Sequence, residues 1–463
     1  MIMINRRKFL QSVSACISFF VLRNSEVNAS LITRYELIAS KSLHKFAYNL
    51  PASNLWLYNN VCPGPILTAR KGEILEVLFT NNLEQPSTIH WHGIRNINGM
   101  DGVPELTQPA IEPGDSFTYR FPVNDSGTFW YHAHFKAWEQ VARGLYGALI
   151  VTEQEDELNE QDILIIADDW KFTDDYQIDV DSFGNLHDWS HGGRFGTGLT
   201  INGESELIKI PIPTNGQLRL RFINTANARI LQFQLLEKQP FHVISLDGAP
   251  CEPFEQDIIT LSPGQRMDVI INDISDLCTL YEVSTGKFFE AAKIVPKISL
   301  KQKIFKFTYS TPRYPMPSLD NAKVIDIHMQ GGAMGNLASA VFEGNERSLR
   351  DLAMNESKLW AFNGKIGGYD HTLAEVSLGE TVILRIWNDT SWEHSMHLHG
   401  HHFWVQSREF NESQKVVLRD TYLMKAGEKN DLVFIADNPG LWLFHCHMLE
   451  HHAAGMGGVI SIS

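Results

Sequence analysis

Two stretches of the chain decide its fold: Gly127-Thr-Phe-Trp-Tyr-His-Ala-His134 and Gly440-Leu-Trp-Leu-Phe-His-Cys-His447. Each opens at a glycine, continues through aromatic and aliphatic residues, and ends in His-x-His, a composition typical of a β-strand that follows a turn. Because side chains alternate across a strand, the two histidines of each stretch lie on one face. Cys446 lies between two histidines and points to the opposite face. The second stretch is therefore predicted to carry functional side chains on both faces of its strand.

Around these stretches the chain repeats one pattern three times. A strand that runs into a polar corner occurs at 77–82, 218–225 and 382–390, and a turn follows at Pro113-Gly114, Pro263-Gly264 and Ala426-Gly427. Short alternating strands without a long 3.6-residue period predict an all-β fold of three Greek-key sandwiches or barrels. We place these domains at 30–155, 156–310 and 311–463. The middle copy lacks the histidines and is predicted to be a spacer without metal ligands, and 310–345 is predicted to be a linker or long loop.

Composition excludes several classes of protein. The 463 residues are 43% hydrophobic and 20% charged, which excludes a disordered chain. The net charge of −15 lacks the basic face that a nucleic-acid partner needs, so none is expected. Five cysteines without a CxxC pair exclude a disulfide framework and a zinc ribbon. Cys62, Cys251 and Cys278 have no assigned role, and any two could pair in an oxidising compartment.

Residues 1–29 read as an export signal. Arg6-Arg7-Lys8 precede a mostly apolar run from Val13 to Leu22, and the segment ends in the small-residue cleavage pattern Val27-Asn28-Ala29. The run is too short to span a bilayer, and no transmembrane helix is expected in the mature chain. The segment resembles a twin-arginine signal, which implies that the twin-arginine machinery exports the folded protein to the periplasm or beyond. An ordinary secretory signal is the alternative.

Histidines are concentrated in four short segments. Residues 90–92, 132–134, 394–399 and 445–451 hold ten of the 19 histidines. Four His-x-His pairs, two from the first repeat and two from the third, predict a metal site between the N- and C-terminal domains. Their eight neutral nitrogen donors suit copper, zinc or iron better than calcium or magnesium. The eight are His90, His92, His132, His134, His397, His399, His445 and His447.

A second donor set surrounds Cys446. On the opposite face of its strand, Cys446 could meet His394 and His451, with Met456 available as a weak axial ligand. Two histidines, a cysteine and a distant methionine describe a blue-copper electron-transfer site. A buried, inert thiol is the alternative reading of this cysteine. Cys446 would then lie one residue from two members of the eight-histidine set.

With these motifs the chain resembles the three-domain multicopper oxidases, the superfamily of laccases, bacterial copper oxidases and ferroxidases. The resemblance extends over the mature chain, through 144–151, 199–203 and Asp247-Gly248. It implies cupredoxin-like domains and four copper ions. It also implies an enzyme that takes single electrons from Fe(II), Cu(I) or a phenol and reduces O₂ to water. A periplasmic protein that holds copper for tolerance, with little turnover, is the alternative function.

The resemblance also assigns ligands. The type 1 copper would take His394, Cys446, His451 and Met456, and the type 2 copper His90 and His397. The type 3 pair would take the other six histidines, His92, His132, His134, His399, His445 and His447. Cys446 and Asp101 would be catalytic: Asp101 matches an acid that relatives place near the three-copper cluster for proton delivery. An Asp-Gly turn at Asp101-Gly102 is the alternative.

Four positions depart from the family pattern or suggest the substrate. His452 stands where several bacterial relatives carry a second acid, which puts that proton route in doubt unless the imidazole serves it. Ser395 replaces a common proline. Glu393 is read as a solvated loop carboxylate rather than a contact for a cationic substrate. A methionine axial ligand favours easily oxidised donors. The run 328–334, which contains two methionines, is read as a flexible linker rather than a methionine-rich insert that binds Cu(I). His187 and His191 are read as surface-loop residues.

Overall fold

The computed structural model describes residues 31–153, 158–214, 216–236, 239–297, 307, 314–407 and 417–463. The predicted export signal at 1–29 lies outside the described residues. The fold is all-β, as predicted, with short helices between strands. Among the described residues, the structure contains no helix with the length and apolarity to cross a membrane.

The first third of the chain forms two four-stranded sheets, with strand orders β2-β1-β4-β6 and β3-β8-β7-β5. A short helix, α1 (Ala137–Gln140), follows β7. The strands are β1 (Ile32–His44), β2 (Ser53–Tyr58), β3 (Gly64–Arg70), β4 (Ile74–Asn81), β5 (Ile89–His92), β6 (Ser116–Pro122), β7 (Gly127–Ala133) and β8 (Tyr146–Thr152).

The middle third forms a six-stranded sheet, β10-β9-β12-β17-β14-β15, and a five-stranded sheet, β11-β19-β18-β13-β16. Helix α2 (Leu186–Ser190) lies between β9 and β10. The strands are β9 (Asp162–Trp170), β10 (Gly198–Ile201), β11 (Ile208–Pro213), β12 (Gly216–Asn224), β13 (Leu231–Leu235), β14 (Phe241–Leu246), β15 (Ala249–Gln256), β16 (Ile258–Leu261), β17 (Arg266–Ile274), β18 (Cys278–Glu282) and β19 (Phe289–Lys297).

The last third forms a nine-stranded sheet, β22-β21-β24-β23-β20-β26-β31-β28-β29, and a five-stranded sheet, β25-β33-β32-β27-β30. Its helices are α3 (Leu349–Glu356) and α4 (Leu449–Ala453). The strands are β20 (Lys323–Gly331), β21 (Ser339–Phe342), β22 (Asn345–Ser348), β23 (Trp360–Phe362), β24 (Lys365–Ile366), β25 (Thr372–Val376), β26 (Thr381–Asn388), β27 (His394–Leu398), β28 (Phe403–Ser407), β29 (Leu418–Arg419), β30 (Thr421–Met424), β31 (Lys429–Ile435), β32 (Gly440–Cys446) and β33 (Gly457–Ile462).

The linker predicted over 310–345 is wrong for much of its length. β20 lies inside the nine-stranded sheet, paired with β26 on one side and β23 on the other. Its side chains Ile325, Ile327 and Met329 are buried in the core of the last third, at every second position. This alternation is the ordinary signal of a strand with one buried face. The glycine-rich residues that follow make this alternation hard to recognise in the sequence.

The strands that carry the histidines are buried on both faces. In β5 and β7 the side chains of Trp91 and Tyr131 enter the core of the first third. In β32, Trp442, Phe444 and Cys446 enter the core of the last third. Because alternate residues point to opposite faces, the histidines between them face away from these cores. The hydrophobic cores thus fix the direction in which each imidazole points.

Candidate metal centre

Strand pairing brings the histidines together in adjacent pairs. His90 in β5 lies opposite His132 in β7, and His397 in β27 lies opposite His445 in β32. Met396 lies opposite Cys446 in the same ladder. Directly opposed residues share a face of the sheet, with side chains about 5 Å apart. Each ladder therefore presents imidazoles that can bind a common ion.

The two ladders meet face to face, so all eight predicted histidines form one eight-histidine cluster. The ring of His90 stacks on His399 with centroids 3.8 Å apart, and that of His92 stacks on His397 at the same distance. Both stacks join the first third of the chain to the last. All eight side chains are buried: His90, His92, His132, His134, His397, His399, His445 and His447.

Backbone carbonyls set the tautomer of four of these imidazoles. The Nδ1 atoms of four rings each lie 2.9–3.0 Å from a carbonyl oxygen, which can only accept a hydrogen bond. The proton therefore sits on Nδ1, and the Nε2 lone pair is free to bind a metal. These rings are His90, His132, His397 and His445. His92 has the opposite arrangement, with Nε2 3.2 Å from Asp420 Oδ1 and no partner on Nδ1.

The cluster fits a metal that prefers neutral nitrogen donors. Burial lowers the pKa of His132, His134 and His447 well below its usual value, so these rings are neutral. His90 Nε2, His397 Nε2 and both nitrogens of His447 lie among the buried polar atoms without a hydrogen-bond partner. Buried nitrogen atoms without a partner destabilise the folded protein unless a cation binds them. Imidazole donors in this number suit copper.

A second group, the Cys446 cluster, consists of His394, Cys446 and His451. Cys446 Sγ lies 3.6 Å from His394 Nδ1 and 3.8 Å from His451 Nδ1, and the two Nδ1 atoms are 3.0 Å apart. The Thr390 hydroxyl donates to Asn388 Oδ1 at 2.7 Å, so His394 Nε2 must donate to Thr390 Oγ1. This leaves Nδ1 of His394 as a lone pair directed at the sulfur.

The Cys446 cluster is arranged for a cation. Burial raises the pKa of the Cys446 thiol to about 12, so a bound cation is needed to hold it as a thiolate. His451 Nε2 donates to the carbonyl of His191 at 2.7 Å, which leaves Nδ1 free. Met456 is buried in the same core, and its carbonyl accepts the Cys446 amide at 3.0 Å. The predicted axial residue thus lies beside the cluster.

Asp101 lies at the eight-histidine cluster rather than in a solvent-exposed turn. Its carboxylate accepts a hydrogen bond from His399 Nδ1 at 2.8 Å, and its carbonyl accepts one from His90 Nδ1 at 2.9 Å. The side chain is fully buried. A single aspartate therefore orients an imidazole from each end of the chain.

Sequence reasoning missed a buried ion pair that supports the same imidazoles. Arg266, at the start of β17, donates to both carboxylate oxygens of Asp420 at 2.8 and 2.5 Å. Asp420 Oδ1 lies 3.2 Å from His92 Nε2 and 3.5 Å from His397 Nδ1. Burial alone would raise the pKa of Asp420, but Arg266 holds it well below its usual range. Asp420 is thus a fixed negative charge beside two candidate ligands.

The middle third also approaches the cluster through a turn. A Cβ atom placed on Gly264 would lie 3.0 Å from His447 Cγ and 3.0 Å from His92 Cε1. Ser395 donates from its hydroxyl to the carbonyl of Pro263 at 2.8 Å. The middle third therefore contacts the ligands, although its sequence offers no histidine motif.

The remaining predicted residues lie close to the two clusters. His452 packs against His445 with ring centroids 4.3 Å apart and near His134 at 5.9 Å. Glu393 lines a cavity of about 310 Å³ together with Trp392 and Met448. Among the described residues, Cys62, Cys251, Cys278 and Cys446 form no disulfide bond, so none of the pairings left open by the sequence is formed.

The chain is similar to known proteins over most of its length. Family models described as multicopper oxidase match residues 44–156, 161–276 and 342–463. The chain is 29% identical to the multicopper oxidase MmcO of Mycobacterium tuberculosis, over 88% of this chain and 82% of that protein. It superposes on the multi-copper oxidase of Pseudomonas thermotolerans with a TM-score of 0.79 and 26% identity, over 94% of this chain and 100% of the other. A multicopper oxidase of Campylobacter jejuni, described as a metallo-oxidase, gives a TM-score of 0.77 at 25% identity, over 93% and 91%.

Proposed function

Since the chain belongs to the multicopper oxidase family, we propose that it is an exported enzyme that oxidises metal ions or phenols one electron at a time and reduces O₂ to water. Enzymes of this family bind copper and use O₂ as the electron acceptor. The observation that carries the proposal is the position of Cys446. Its side chain lies in one buried donor cluster, whereas its neighbours His445 and His447 lie in the other.

We assign the Cys446 cluster to a type 1 copper, with Met456 as the axial ligand. Support comes from its mixed thiolate and imidazole donors, a set suited to copper in an electron-transfer role. His394, Cys446 and His451 place their donor atoms within 4.8 Å of one another.

We assign the eight-histidine cluster to three coppers, which makes four per chain. His90 and His397 are assigned to the type 2 ion, since their donor atoms fall in one group with His399. The type 3 ions take three imidazoles each, His134, His399 and His445 for one and His92, His132 and His447 for the other. The first trio forms a group of its own, and the rings of the second lie 4.9–5.8 Å apart.

When bound, the copper ions accept electrons singly and deliver four of them to O₂. The chain's own residues hold and separate the two centres. Carbonyl groups fix the Nδ1 protons of His90, His132, His397 and His445, so the Nε2 lone pairs of these four rings are available without rearrangement. Asp101 keeps a carboxylate within hydrogen-bond reach of His399, where it can orient water and supply protons. Cys446 joins the centres covalently through its two histidine neighbours.

Among the substrates we favour metal ions. The net charge of −15 attracts cations. Glu393 faces the cavity next to the Cys446 cluster, where a carboxylate favours a cationic donor. The relative from Campylobacter jejuni is described as a metallo-oxidase.

We also propose export to the periplasm or outside the cell through the twin-arginine machinery, on the sequence of residues 1–29. The proposed domains at 30–155, 156–310 and 311–463 are supported by sheet membership: in the described parts of the chain, each sheet takes its strands from a single third.

Oxygen uptake by the copper-loaded protein tests the function. We expect fast uptake with Cu(I) or Fe(II) and slower uptake with a dimethoxyphenol, each measured against its own autoxidation blank. Cys446→Ser should lose the blue absorption and reduce turnover to background, because serine cannot supply the thiolate. Blue colour retained in this variant would contradict the type 1 assignment. No uptake with any donor in the four-copper protein would favour the copper-holding function.

A further inference from the structure

Two surface imidazoles lie next to the Cys446 cluster. His187 is in α2, and His191 follows directly after its end, four residues later on the same face. Their rings stack with centroids 4.0 Å apart and planes 12° apart. The side chain of His187 is 75% exposed. The surface-loop prediction is correct in exposure for His187, whereas His191 is half-buried, and the prediction missed the short helix that sets the pair side by side.

This histidine pair is connected to the Cys446 cluster by one hydrogen bond. The carbonyl of His191 accepts from His451 Nε2 at 2.7 Å. The ring of His191 packs edge-on against Trp392, with centroids 5.1 Å apart. Trp392 in turn donates from Nε1 to the carbonyl of Ala333 at 2.9 Å. The pair is thus held in a fixed position on the outer side of His451.

Each imidazole has a nitrogen available to a cation. His191 Nδ1 lies 2.8 Å from the carbonyl of His187, so the proton is on Nδ1 and the lone pair is on Nε2. The carboxylate of Asp188 lies 3.8 Å from His187 Nδ1, and its other oxygen pairs with Lys171 at 2.9 Å. Two histidines four residues apart on one helical face can bind the same metal ion.

A methionine follows a residue that is hydrogen-bonded to the same helix. The amide of Ala333 donates to the carbonyl of Ser190, the residue before His191, at 2.7 Å. Met334 follows Ala333 and is 72% exposed. Imidazole and thioether donors favour Cu(I) over Fe(II), since the softer ion prefers softer ligands.

We propose that His187 and His191 bind the incoming cuprous ion, with Met334 as an additional soft donor, and that electrons enter the protein here. The proposal rests on the oxidase function proposed above and names its substrate. Each Cu(I) loses one electron and leaves as Cu(II), and the electron passes through the His191 carbonyl to His451. Four such ions, together with four protons and one O₂, give two waters. No bond of the protein forms or breaks.

Silver(I) binding tests the site without turnover, because Ag(I) has the same closed shell as Cu(I) and O₂ does not oxidise it. Calorimetric titration of the copper-loaded protein should give one surface site, and His187→Ala should weaken it about tenfold or more, a change of about 1.4 kcal/mol per tenfold. His242→Ala is the control, since His242 is a half-buried imidazole in β14 of the same third. Equal Ag(I) affinity in wild type and His187→Ala would overturn the proposal.

Oxygen uptake with Cu(I) separates binding from chemistry. His187→Ala should raise the KM for Cu(I) about tenfold with kcat within about twofold, because the loss is in ground-state binding. Met334→Leu should raise it less. An unchanged KM in His187→Ala would refute the entry site even if wild type is an active oxidase. If wild type consumes no O₂ with any donor, the proposed function fails, whereas Ag(I) binding still reports on the pair.

Discussion

Asp101 joins imidazoles from two distant parts of the chain. Asp101→Asn keeps the size of the side chain but replaces the anionic acceptor of His399 Nδ1. We expect turnover to fall roughly 10- to 100-fold, as is typical when a residue that orients a ligand is changed. Oxygen uptake and copper content per chain are the measurements. Asp437→Asn, at a side chain 50% exposed, is the matched control and should keep the wild-type rate. Wild-type turnover in Asp101→Asn would leave only the turn interpretation.

Single residues also show where sequence reasoning stops. The histidines and Cys446 can be predicted from the sequence because their spacing along each strand itself indicates a metal site. Asp420 and Arg266 carry no such signal, since they are 154 residues apart and meet only in the folded chain. Each alone reads as an ordinary surface charge, and only burial and mutual distance reveal the pair.

At the level of elements, three equivalent turns permit a matched experiment. Gly114, Gly264 and Gly427 have φ values of 88°, 85° and 78°, so alanine costs about 1–2 kcal/mol of backbone strain at each. Only the Cβ at Gly264 would meet imidazoles, whereas the other two positions open into free space. Gly264→Ala should therefore lose copper from the eight-histidine cluster, and Gly114→Ala and Gly427→Ala should keep it. Copper content and thermal unfolding distinguish the cases, and equal loss in all three would mean that strain alone is responsible.

The elements were predictable where alternation was uninterrupted. β5, β7 and β32 follow from their sequences because apolar and histidine residues alternate between glycine and a turn. β20 was missed although Ile325, Ile327 and Met329 alternate in the same way. Its final residues run into Gly331-Gly332, and a glycine pair in a sequence ordinarily predicts a loop. A strand in the interior of a sheet can end in glycines and still keep its pairing with both neighbouring strands.

For the whole molecule, buried neutral imidazoles predict instability of the copper-free protein in acid. Burial lowers the pKa of His451 to about 4 and, together with Lys358, that of His452 to about 4. An unfolded histidine titrates near 6.5, so below that pH the unfolded chain binds more protons. The stability that these two residues contribute is therefore fully present above about pH 6.5. As the pH drops toward 4, the free energy of unfolding falls by about 1.4 kcal/mol per pH unit for each residue.

Denaturant unfolding of the copper-free protein across this pH range measures the effect. His452→Gln removes one titrating group, so the slope of unfolding free energy against pH should decrease by about 1.4 kcal/mol per unit. The same slope in this variant and wild type would mean that His452 is not buried as a neutral ring.

The stacking of His90 on His399 and of His92 on His397 has a consequence for biosynthesis. A ribosome makes the chain from its amino end, so His90 and His92 are translated some three hundred residues before the rings they stack on. Until the last third has emerged, a growing chain offers only the histidines of the first third, which are half of the eight-histidine cluster. Assembly of both clusters therefore waits for the last third of the chain, and a product truncated before His394 lacks the whole Cys446 cluster.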